Sequence, residues 1–546
     1  MKKLIFLLLT PLGVLSQNLP DSIVSKIDSV FKSYTRTTPG CAIAIVEKGN
    51  VVFQKGYGSA NLEYSIPIEP TTIFHIASES KQYVAFCMLL LQKEGKLSID
   101  DDIRKYLDYV PDFGHKITIR HLIYHTSGLR DQWQLLANAG WQLDDVITQE
   151  HVIKLVSKQR ALNFTPGDEW MYCNTGYTLM AEIVKKVSGL TLRQYTEKNI
   201  FMPLGMKDTH FHDNYQELVP GRAYSYTPNV FRKFEHAVLS YSIVGATSLF
   251  TTVLDEVKWL QNFETGIVGG KDLVEKMHEV GVLNNGKKLS YAFGLSIGKY
   301  KGWKQIGHGG ADAGFRTYAC RFPEQDLGIV VFSNHGWTNP TGLTNEVANV
   351  LLPGSKEEKA EEKLPIPDSV ALRKFQGKYY TVRGNVSDVF WKDGKLLGRN
   401  PNGNTFEINL SVLGTNRYRT GDGGVLIVDE YSKASDSVMA YRIESTTQTT
   451  TFVRRPAEAQ KITAEFVGKY FSPETEGFYY VTEKEGRLSL EHRKFPTVRL
   501  TNIAPDQFTA PHWWMSHIRF LRNKQGKIIA FEVNAGRIQH LRYDRQ

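Results

Sequence analysis

The sequence predicts an α+β protein with two small β-rich domains at its C-terminal end. Three observations support this: a hairpin pattern near the N-terminus, helical patterns in the segment that follows, and further strand patterns between residues 290 and 333. Strands at both ends of one unit favour a single antiparallel sheet that the two ends close together. Beyond residue 369 short alternating strands with glycine turns predict two small antiparallel barrels or sandwiches.

Length and composition exclude several classes of protein. The 546 residues are 41% hydrophobic, 23% charged and 12% aromatic, which is ordinary for packed globular domains. These values exclude wholesale disorder and a polytopic membrane protein. The formal net charge of +9 is interspersed with acidic residues, so we expect a mixed solvated surface and no nucleic-acid partner.

The first 16 residues have the pattern of a secretory signal peptide. Lys2 and Lys3 precede an apolar stretch from Leu4 to Leu15, and the small residue Ser16 follows it. About 12 apolar residues are too few to cross a bilayer as a helix, and no cysteine lies nearby to carry a lipid. The sequence therefore predicts a periplasmic or secreted protein with no membrane anchor after cleavage.

The predicted elements follow in order along the chain. Residues 41–58 predict a hairpin, because β-branched residues flank a Gly-Asn turn. A helix is predicted from about 81 to 94, where Gly95 stops it. Further helical patterns occur at 149–158, 175–188 and 254–263, and further strand patterns at 290–299, 303–307, 314–322 and 327–333.

A segment rich in charge and proline divides the chain. Residues 353–368 have almost nothing to bury and predict a linker. After it, FQGKY at 375–379 recurs as FVGKY at 466–470, and DGKL at 393–396 is echoed by EGRL at 485–488, which indicates an internal repeat. The predicted organisation is a signal peptide (1–16), an α+β domain (17–352), the linker (353–368) and two barrel-like domains (369–458 and 459–546).

The four cysteines are too few and too widely spaced for a disulfide framework or a zinc ribbon. Cys41 and Cys320 both lie in strand-like runs. In an oxidising compartment they either form one bridge or remain buried thiols, and the sequence leaves this open.

Ser78 and Lys81 form the first chemical motif, at the point where an extended run meets a helix. A residue three positions along a helix lies one turn away on the same face, so the amine is placed beside the hydroxyl. A serine becomes a nucleophile when a partner takes its proton, and a lysine with a lowered pKa is able to do so. Alone, the spacing also fits a helix-capping serine with a solvated lysine.

Two later motifs offer further polar groups. Tyr172 and Asn174 point the same way on an extended segment, and they offer a phenolic proton carrier and an amide. His308 is followed by Gly309 and Gly310, which let a ligand backbone approach closely. Each motif alone also fits a structural role, as a helix cap beside a core tyrosine or as a glycine-rich turn.

In this order the three motifs resemble those of the serine β-lactamase and penicillin-binding-protein hydrolases. The spacing is most similar to the branch that contains class C β-lactamases, D-alanyl-D-alanine carboxypeptidases and D-aminopeptidases. The supporting segments are FHIASESKQ, LLLQKEGKLSIDDDIRKYL, HLIYHTSGL and GHGGADAGFRTYACRFPEQDLGIVVFSN. The two C-terminal repeats also resemble the architecture of D-aminopeptidases, in which barrel domains near the active-site mouth restrict the substrate.

The resemblance implies a β-lactamase/transpeptidase-like fold and a serine hydrolase that works through an acyl-enzyme. Ser78 would attack, Lys81 and Tyr172 would handle its proton, and a tyrosinate-like Tyr172 would activate the deacylating water. His308 would polarise Tyr172 or face the leaving group. The implied substrate-binding residues are Asn174, Gly309, Gly310 and Ala311, with the backbone amides of Ser78 and Ala311 as the oxyanion hole. No metal or organic cofactor is expected.

The substrate stays open at this point. The resemblance favours short peptides or amides that contain D-amino acids. The alternatives are a carboxylesterase of small acyl esters, a β-lactamase, and an inactive cell-wall or ligand-binding protein. His308 stands where most β-lactamases have a lysine that helps to hold the penicillin carboxylate, and a mostly neutral histidine is a weaker anion anchor. The sequence leaves the principal base, Lys81 or Tyr172, and the oligomeric state undecided.

Two further segments invite a functional interpretation. Residues 294–298 (GLSIG) match the nucleophile elbow of α/β-hydrolases, but that elbow requires a strand-to-helix turn. Ser296 lies in an alternating run followed by another strand, so we predict that it is structural. The aromatic cluster at 511–514 (PHWW) is predicted to be barrel core, with a loop that gates the site as the alternative.

Overall fold

The computed structural model describes residues 19–546 apart from 230, 232, 355–363, 382–385, 401–403, 422, 446–448 and 456–463. The predicted signal peptide (1–16) and most of the predicted linker (353–368) therefore lie outside the described residues. None of the described helices has the length and apolar character that a membrane crossing requires. The predicted domain boundaries stay predictions.

The elements before the linker include both helices and strands. The helices are α1 (Asp21–Val30), α2 (Ser80–Lys93), α3 (Ile119–Ile123), α4 (Gln132–Asn138), α5 (Gln149–Lys158), α6 (Asn174–Ser188), α7 (Leu192–Thr196), α8 (Met202–Leu204), α9 (Val253–Thr265), α10 (Gly270–Lys276) and α11 (Pro340–Leu351). The strands are β1 (Cys41–Glu47), β2 (Asn50–Tyr57), β3 (Ser59–Asn61), β4 (Ile66–Pro67), β5 (Phe74–His75), β6 (Ile147–Thr148), β7 (His210–Phe211), β8 (Tyr226–Pro228), β9 (Phe234–His236), β10 (Tyr241–Ser242), β11 (Leu249–Thr251), β12 (Ser296–Tyr300), β13 (Trp303–Asp312), β14 (Phe315–Phe322) and β15 (Leu327–Ser333).

A six-stranded antiparallel sheet in the order β12-β13-β14-β15-β1-β2 organises this part of the chain. The N-terminal hairpin pairs with the last strand, so both ends close one sheet, as predicted. Successive side chains of β1 point to opposite faces. Ile43 and Ile45 pack against α1 and α11, whereas Ala42 and Ala44 belong to the larger core that contains the remaining helices. The predicted α+β class is confirmed.

Helix α2 lies at the centre of that larger core. Most of its residues are fully buried, and it packs against α6. Gly95 follows its C-terminus with a φ of 69°, a left-handed conformation that favours glycine and ends the helix. The first turn of α2 therefore occupies a rigid, dehydrated position, which matters because it carries Lys81.

Two predicted elements differ in detail from the structure. The first hairpin turns at Lys48-Gly49, both with positive φ as in a type I′ turn, rather than at the expected Gly-Asn pair. The strand expected at 290–299 begins only at Ser296. Gly294 explains the delay, because a Cβ there would lie 2.6 Å from the backbone nitrogen of Gln82, so this segment passes against α2 instead of extending the sheet.

The C-terminal part contains two sheets of nine strands each, preceded by α12 (Ser369–Arg373). The first sheet contains β16 (Gly377–Thr381), β17 (Val386–Lys392), β18 (Lys395–Arg399), β19 (Thr405–Glu407), β20 (Leu410–Gly414), β21 (Arg417–Thr420), β22 (Val425–Tyr431), β23 (Val438–Glu444) and β24 (Thr449–Arg454). The second contains β25 (Gly468–Ser472), β26 (Gly477–Lys484), β27 (Arg487–His492), β28 (Phe495–Arg499), β29 (Thr501–Ala504), β30 (Gln507–Thr509), β31 (His517–Arg522), β32 (Ile528–Ala535) and β33 (Ile538–Arg545).

The two sheets have the same strand order, which confirms the prediction of two small antiparallel barrel-like domains. The repeated sequence landmarks occupy equivalent places. Tyr379 and Tyr470 are both fully buried in the first strand of their sheet. The second landmark is the next hairpin turn in each sheet, where Asp393-Gly394 and Glu485-Gly486 all have positive φ.

The second of these sheets docks tightly on the α+β domain. Its buried side chains belong to the same apolar core as α2 and α6, whereas the first sheet has a core of its own. Arg130 is fully buried at this junction, and its Nη1 donates to Glu474 Oε2 at 2.6 Å. Its other nitrogens donate to the carbonyl oxygens of Gln539 and His540. A buried arginine requires such partners, so the docking geometry is strongly specified.

The sequence left the pairing of the cysteines open, and in the structure all four are buried free thiols. Cys41 pairs in register with Ser333 of β15, whereas Cys320 pairs with Ile329 on the other side of that strand. One intervening strand and four residues of register separate the two thiols, so they are too far apart to bridge.

Candidate active site

Ser78 sits in a single 3-10 turn, Ala77–Glu79, that runs directly into α2. Ala77 has a φ of 48°, an unusual left-handed conformation for a residue with a side chain. The bend turns the chain from the short strand β5 into the helix, and it leaves Ser78 half-buried at the floor of a cleft.

Lys81 lies directly beside the serine, as the spacing predicted. Its Nζ is 2.9 Å from Ser78 Oγ, 2.9 Å from Asn174 Oδ1 and 2.6 Å from the carbonyl oxygen of Ala246. The last two atoms only accept hydrogen bonds, so a neutral amine donates its two hydrogens to them. Its lone pair is then directed at the hydroxyl of Ser78, which is the orientation that a base requires.

The environment of Lys81 favours that neutral form. The side chain is fully buried. Burial lowers the pKa of Lys81 to about 7, because the ammonium ion has lost its water. The nearby carboxylate of Asp312 opposes this shift, and the positive charge of Arg537 adds to it. At neutral pH a large fraction of the enzyme therefore carries an unprotonated lysine.

Tyr172 lines the same cleft as Ser78. Its ring centroid is 4.9 Å from Lys81 Nζ and 4.2 Å from the ring of His125. Burial raises the pKa of Tyr172 above its ordinary value, and the nearby serine hydroxyl only partly opposes this shift, so the phenol is protonated at neutral pH. This environment disfavours the tyrosinate that the resemblance implied and leaves Lys81 as the better base.

His308 has a different partner from the one expected. Its Nδ1 donates to the carbonyl oxygen of Gly309 at 2.7 Å, and its Nε2 accepts from the hydroxyl of Tyr291 at 3.0 Å. Both ring nitrogens are therefore occupied, and neither bonds Tyr172. Burial lowers the pKa of His308 to about 3, so the ring is neutral and offers no cation.

Asn174 begins α6 and is held by Asp131. The buried carboxylate of Asp131 accepts from the backbone nitrogen of Asn174 at 2.7 Å and from its Nδ2 at 2.9 Å. Since Asn174 Oδ1 accepts from Lys81, its amide positions the lysine. Of its donors, the second hydrogen of Nδ2 remains for a substrate, so Asn174 both positions Lys81 and is able to contact the substrate.

The strand β13 forms the opposite wall of the cleft. Its partner β12 pairs only as far as Gly307, so residues 308–312 present a backbone edge that none of the described strands covers on that side. Gly310 passes close to the turn that carries the nucleophile, because a Cβ there would lie 2.1 Å from the carbonyl oxygen of Ile76. This approach brings Gly309, Gly310 and Ala311 into one cleft with Ser78.

The cleft has a volume of about 490 Å³ and is continuous with a groove of about 650 Å³. Trp133, Ala311, Asp312 and Arg316 line both. They are joined by Arg537, which belongs to the second C-terminal sheet. Sequence reasoning missed Arg537, Asp131 and Tyr291, because none stands in a recognisable motif; the only local signal is Asp131 as a potential helix cap.

The structure also shows the positions of the GLSIG segment (294–298) and of the aromatic cluster (511–514). Ser296 begins β12 in a hairpin with β13, not in a strand-to-helix turn. This context agrees with a structural role. The aromatic cluster is not simply barrel core: Trp514 is partly buried against the shared core, but Trp513 is 43% exposed and lines the groove. Trp513 is exposed because this part of the cluster faces the α+β domain across the groove.

A serine beside a neutral, buried lysine, with a protonated tyrosine in the same cleft, is the arrangement of a serine hydrolase that forms an acyl-enzyme. The Beta-lactamase family model matches residues 27–351. The chain belongs to that family.

Several known proteins are similar to this chain in sequence, and one solved structure is similar in fold. The chain is 27% identical over 376 residues to penicillin-binding protein 4* of Bacillus subtilis, covering 65% of this chain and 82% of that protein. It is 27% identical over 324 residues to a D-aminopeptidase of Brucella anthropi, covering 57% of this chain but only 60% of that protein's own length. The octameric penicillin-binding protein homologue from Pyrococcus abyssi superposes with a TM-score of 0.54 at 24% identity, over 87% of this chain and 98% of that one.

Proposed function

We propose that this protein is an exported peptidase that cleaves short peptides or amides containing D-amino acids through an acyl-enzyme on Ser78. The observation that carries the proposal is the 2.9 Å contact between Lys81 Nζ and Ser78 Oγ, with the other two contacts of that amine made to acceptors. A nucleophile and its base are thereby in place before substrate arrives.

Acylation uses three side chains. Ser78 Oγ bonds to the substrate carbonyl carbon while its proton passes to the neutral Lys81. As the carbon–nitrogen bond breaks, Tyr172 gives its phenolic proton to the leaving nitrogen and recovers one from Lys81. Water then attacks the ester carbonyl carbon while its proton passes to Lys81. Lys81 returns that proton to Ser78 Oγ as the bond to the acyl carbon breaks, which releases the acid product and restores the free hydroxyl.

The negative oxygen that develops during attack needs hydrogen-bond donors. The backbone amide of Ser78 and that of Ala311, on the uncovered edge of β13, are the proposed pair. Removal of one such donor typically costs about 100-fold or more in turnover.

Two observations support the substrate class, and a third supports the location. The relatives include a protein named D-aminopeptidase and one named penicillin-binding protein. The cleft of about 490 Å³ suits a small ligand rather than a folded protein chain. Export follows from the signal-peptide pattern of the first 16 residues.

The substrate class is tested by comparing kcat/KM for D-alanine p-nitroanilide, its L-enantiomer, p-nitrophenyl acetate and a chromogenic cephalosporin. We expect the D-anilide to exceed the L-anilide by about tenfold or more, because the walls of the cleft fix the orientation of the acyl group. Cephalosporin turnover should be slow. Equal rates on the two enantiomers with a faster ester would favour an esterase, and rapid cephalosporin turnover alone would favour a β-lactamase.

The pH dependence follows from Lys81. Because the base must be neutral, kcat/KM for an uncharged ester should rise as pH passes through about 7 and then level off. No fall is expected up to the ordinary pKa of tyrosine near 10, since burial raises the pKa of Tyr172. A profile that falls through pH 7, or stays flat from pH 5 to 9, would contradict the assignment of the neutral lysine as the base.

A further inference from the structure

The turn between β32 and β33 enters the cleft from the second C-terminal sheet. The carbonyl oxygen of Arg537 accepts from the backbone nitrogen of Asp131 at 3.3 Å and from Asn163 Nδ2 at 3.0 Å. Asn163 Oδ1 in turn accepts from the backbone nitrogen of Gln539 at 2.8 Å. These bonds fix the backbone at Arg537 and directly after it, so the turn that carries the side chain is held against the α+β domain.

The guanidinium of Arg537 lies over the ring of Tyr172, 4.7 Å from its centroid. The side chain is 40% exposed, and the nearest carboxylate oxygen, Asp131 Oδ2, is 3.8 Å from Nη1. That oxygen already accepts two hydrogen bonds from Asn174. Within the described residues the guanidinium donates no hydrogen bond, so its planar set of donors is open to the cleft.

The other charged or titratable groups around the cleft already have hydrogen-bond partners. Arg316 donates through Nη1 to the carbonyl oxygens of Ala313 and Phe315. The carboxylate of Asp312 accepts from His75 and Thr247. His308 is hydrogen-bonded through both nitrogens. Arg537 is therefore the cation of this cleft that is most available to a ligand.

We propose that Arg537 binds a carboxylate of the substrate, and that the preferred substrates carry a carboxylate next to the bond that Ser78 attacks. A guanidinium stacked on an aromatic ring with free donors is suited to bind a carboxylate through two parallel hydrogen bonds. The carboxylate is either the free C-terminus of the leaving residue or an acidic side chain of the acyl residue. This inference rests on the proposed peptidase activity and restricts its substrate class to molecules that carry such a carboxylate.

The test compares acetyl-D-Ala-D-Ala with its C-terminal amide, and acetyl-D-Glu-D-Ala amide with acetyl-D-Gln-D-Ala amide. In one pair or the other we expect the carboxylate to raise kcat/KM by about 10- to 100-fold, mainly through KM. Hydrogen bonds to a charged group strengthen binding by about this factor. The pair that responds identifies which carboxylate binds. In Arg537→Gln that preference should fall to near one, and Arg537→Lys should recover only part of it.

Arg542→Gln is the matched control, because Arg542 lies on β33, the strand that follows the turn with Arg537, but is exposed and pairs with Asp544. It should keep the wild-type preference. If Arg537→Gln keeps the preference as well, or if wild type shows none in either pair, the inference is wrong. It is also wrong if Arg537→Gln slows acid and amide equally and shifts the pH midpoint of turnover, because Arg537 then acts only through the charge of Lys81.

A binding measurement separates this inference from the proposed function. Calorimetry compares N-acetyl-D-alanine with its amide, and N-acetyl-D-glutamate α-amide with N-acetyl-D-glutamine α-amide, on wild type and on Arg537→Gln, and it needs no turnover. Tighter binding of the acid in either pair by wild type only would support Arg537 as the carboxylate site even if no peptide were cleaved. Equal binding of acid and amide by wild type in both pairs would overturn the inference even if peptides were cleaved.

Discussion

Replacing Ser78 with alanine should lower turnover of every substrate by about 10⁴-fold or more, because no acyl-enzyme forms without the hydroxyl. The fold should tolerate the change, since Ser78 is half-buried and its side chain contacts only Lys81 and Tyr172 among the groups described above. The measurement is kcat/KM on the best substrate, together with mass spectrometry after treatment with a fluorophosphonate probe.

The matched control is Ser296→Ala, which changes the serine of the misleading GLSIG segment. It should retain most of its activity and should still be labelled at Ser78, because Ser296 lines the same cleft but lies at the start of a hairpin strand, whereas the hydroxyl bonded to Lys81 Nζ is that of Ser78. A folded Ser296→Ala protein without activity, beside an active Ser78→Ala protein, would reverse the assignment of the nucleophile.

Replacing Lys81 should cost about 10³-fold or more in kcat/KM, because Ser78 loses the base that takes its proton. Lys81→Arg should be no better than Lys81→Ala, since a guanidinium stays protonated at any working pH and has no lone pair to offer. Small primary amines added to Lys81→Ala should restore part of the rate by filling the vacated space.

Circular dichroism and thermal melting of both variants provide the folding control, because Lys81 is wholly buried and its loss leaves Asn174 and Ala246 with one partner fewer. If Lys81→Arg were active within about tenfold of wild type, the site would need a cation rather than a base. The proposed proton transfer would then be wrong.

The sequence predicted the parts of the site that depend on short spacing. Ser78 and Lys81 are one helical turn apart in any helix that begins there. The strand pattern ended at residue 307, whereas β13 continues to Asp312, so the pattern alone did not place His308, Gly309 and Gly310 on the strand. The antiparallel sheet closed by both chain ends also followed from pattern, because alternation and turn residues are local properties.

The groups that the sequence missed depend on contacts between distant parts of the chain. Tyr291 reaches His308 through a hairpin whose first strand is shorter than its pattern indicated. Arg537 comes from a domain whose docking uses backbone carbonyl oxygens, and such acceptors have no side-chain signature. The neutral state of His308 likewise depends on burial, which only the folded chain determines.

His308 stands where most β-lactamases have a lysine, so the sequence alone predicted a site that binds anions weakly. The folded protein brings a guanidinium to the same cleft from another direction. A motif comparison confined to one domain therefore underestimates the positive charge that a substrate meets.

The β32–β33 turn forms one wall of the cleft, although it is encoded far from Ser78 and Lys81. Bond cleavage and substrate fit therefore depend on separate stretches of the gene. Codons for Ser78 and Lys81 determine how a bond is broken, whereas codons for the last hairpin affect which molecules fit. Mutation or exchange of the final domain is thus a route by which one hydrolase acquires new substrates while its chemistry persists. Such an exchange must keep an acid opposite Arg130, because a buried arginine without a partner would destabilise the hybrid.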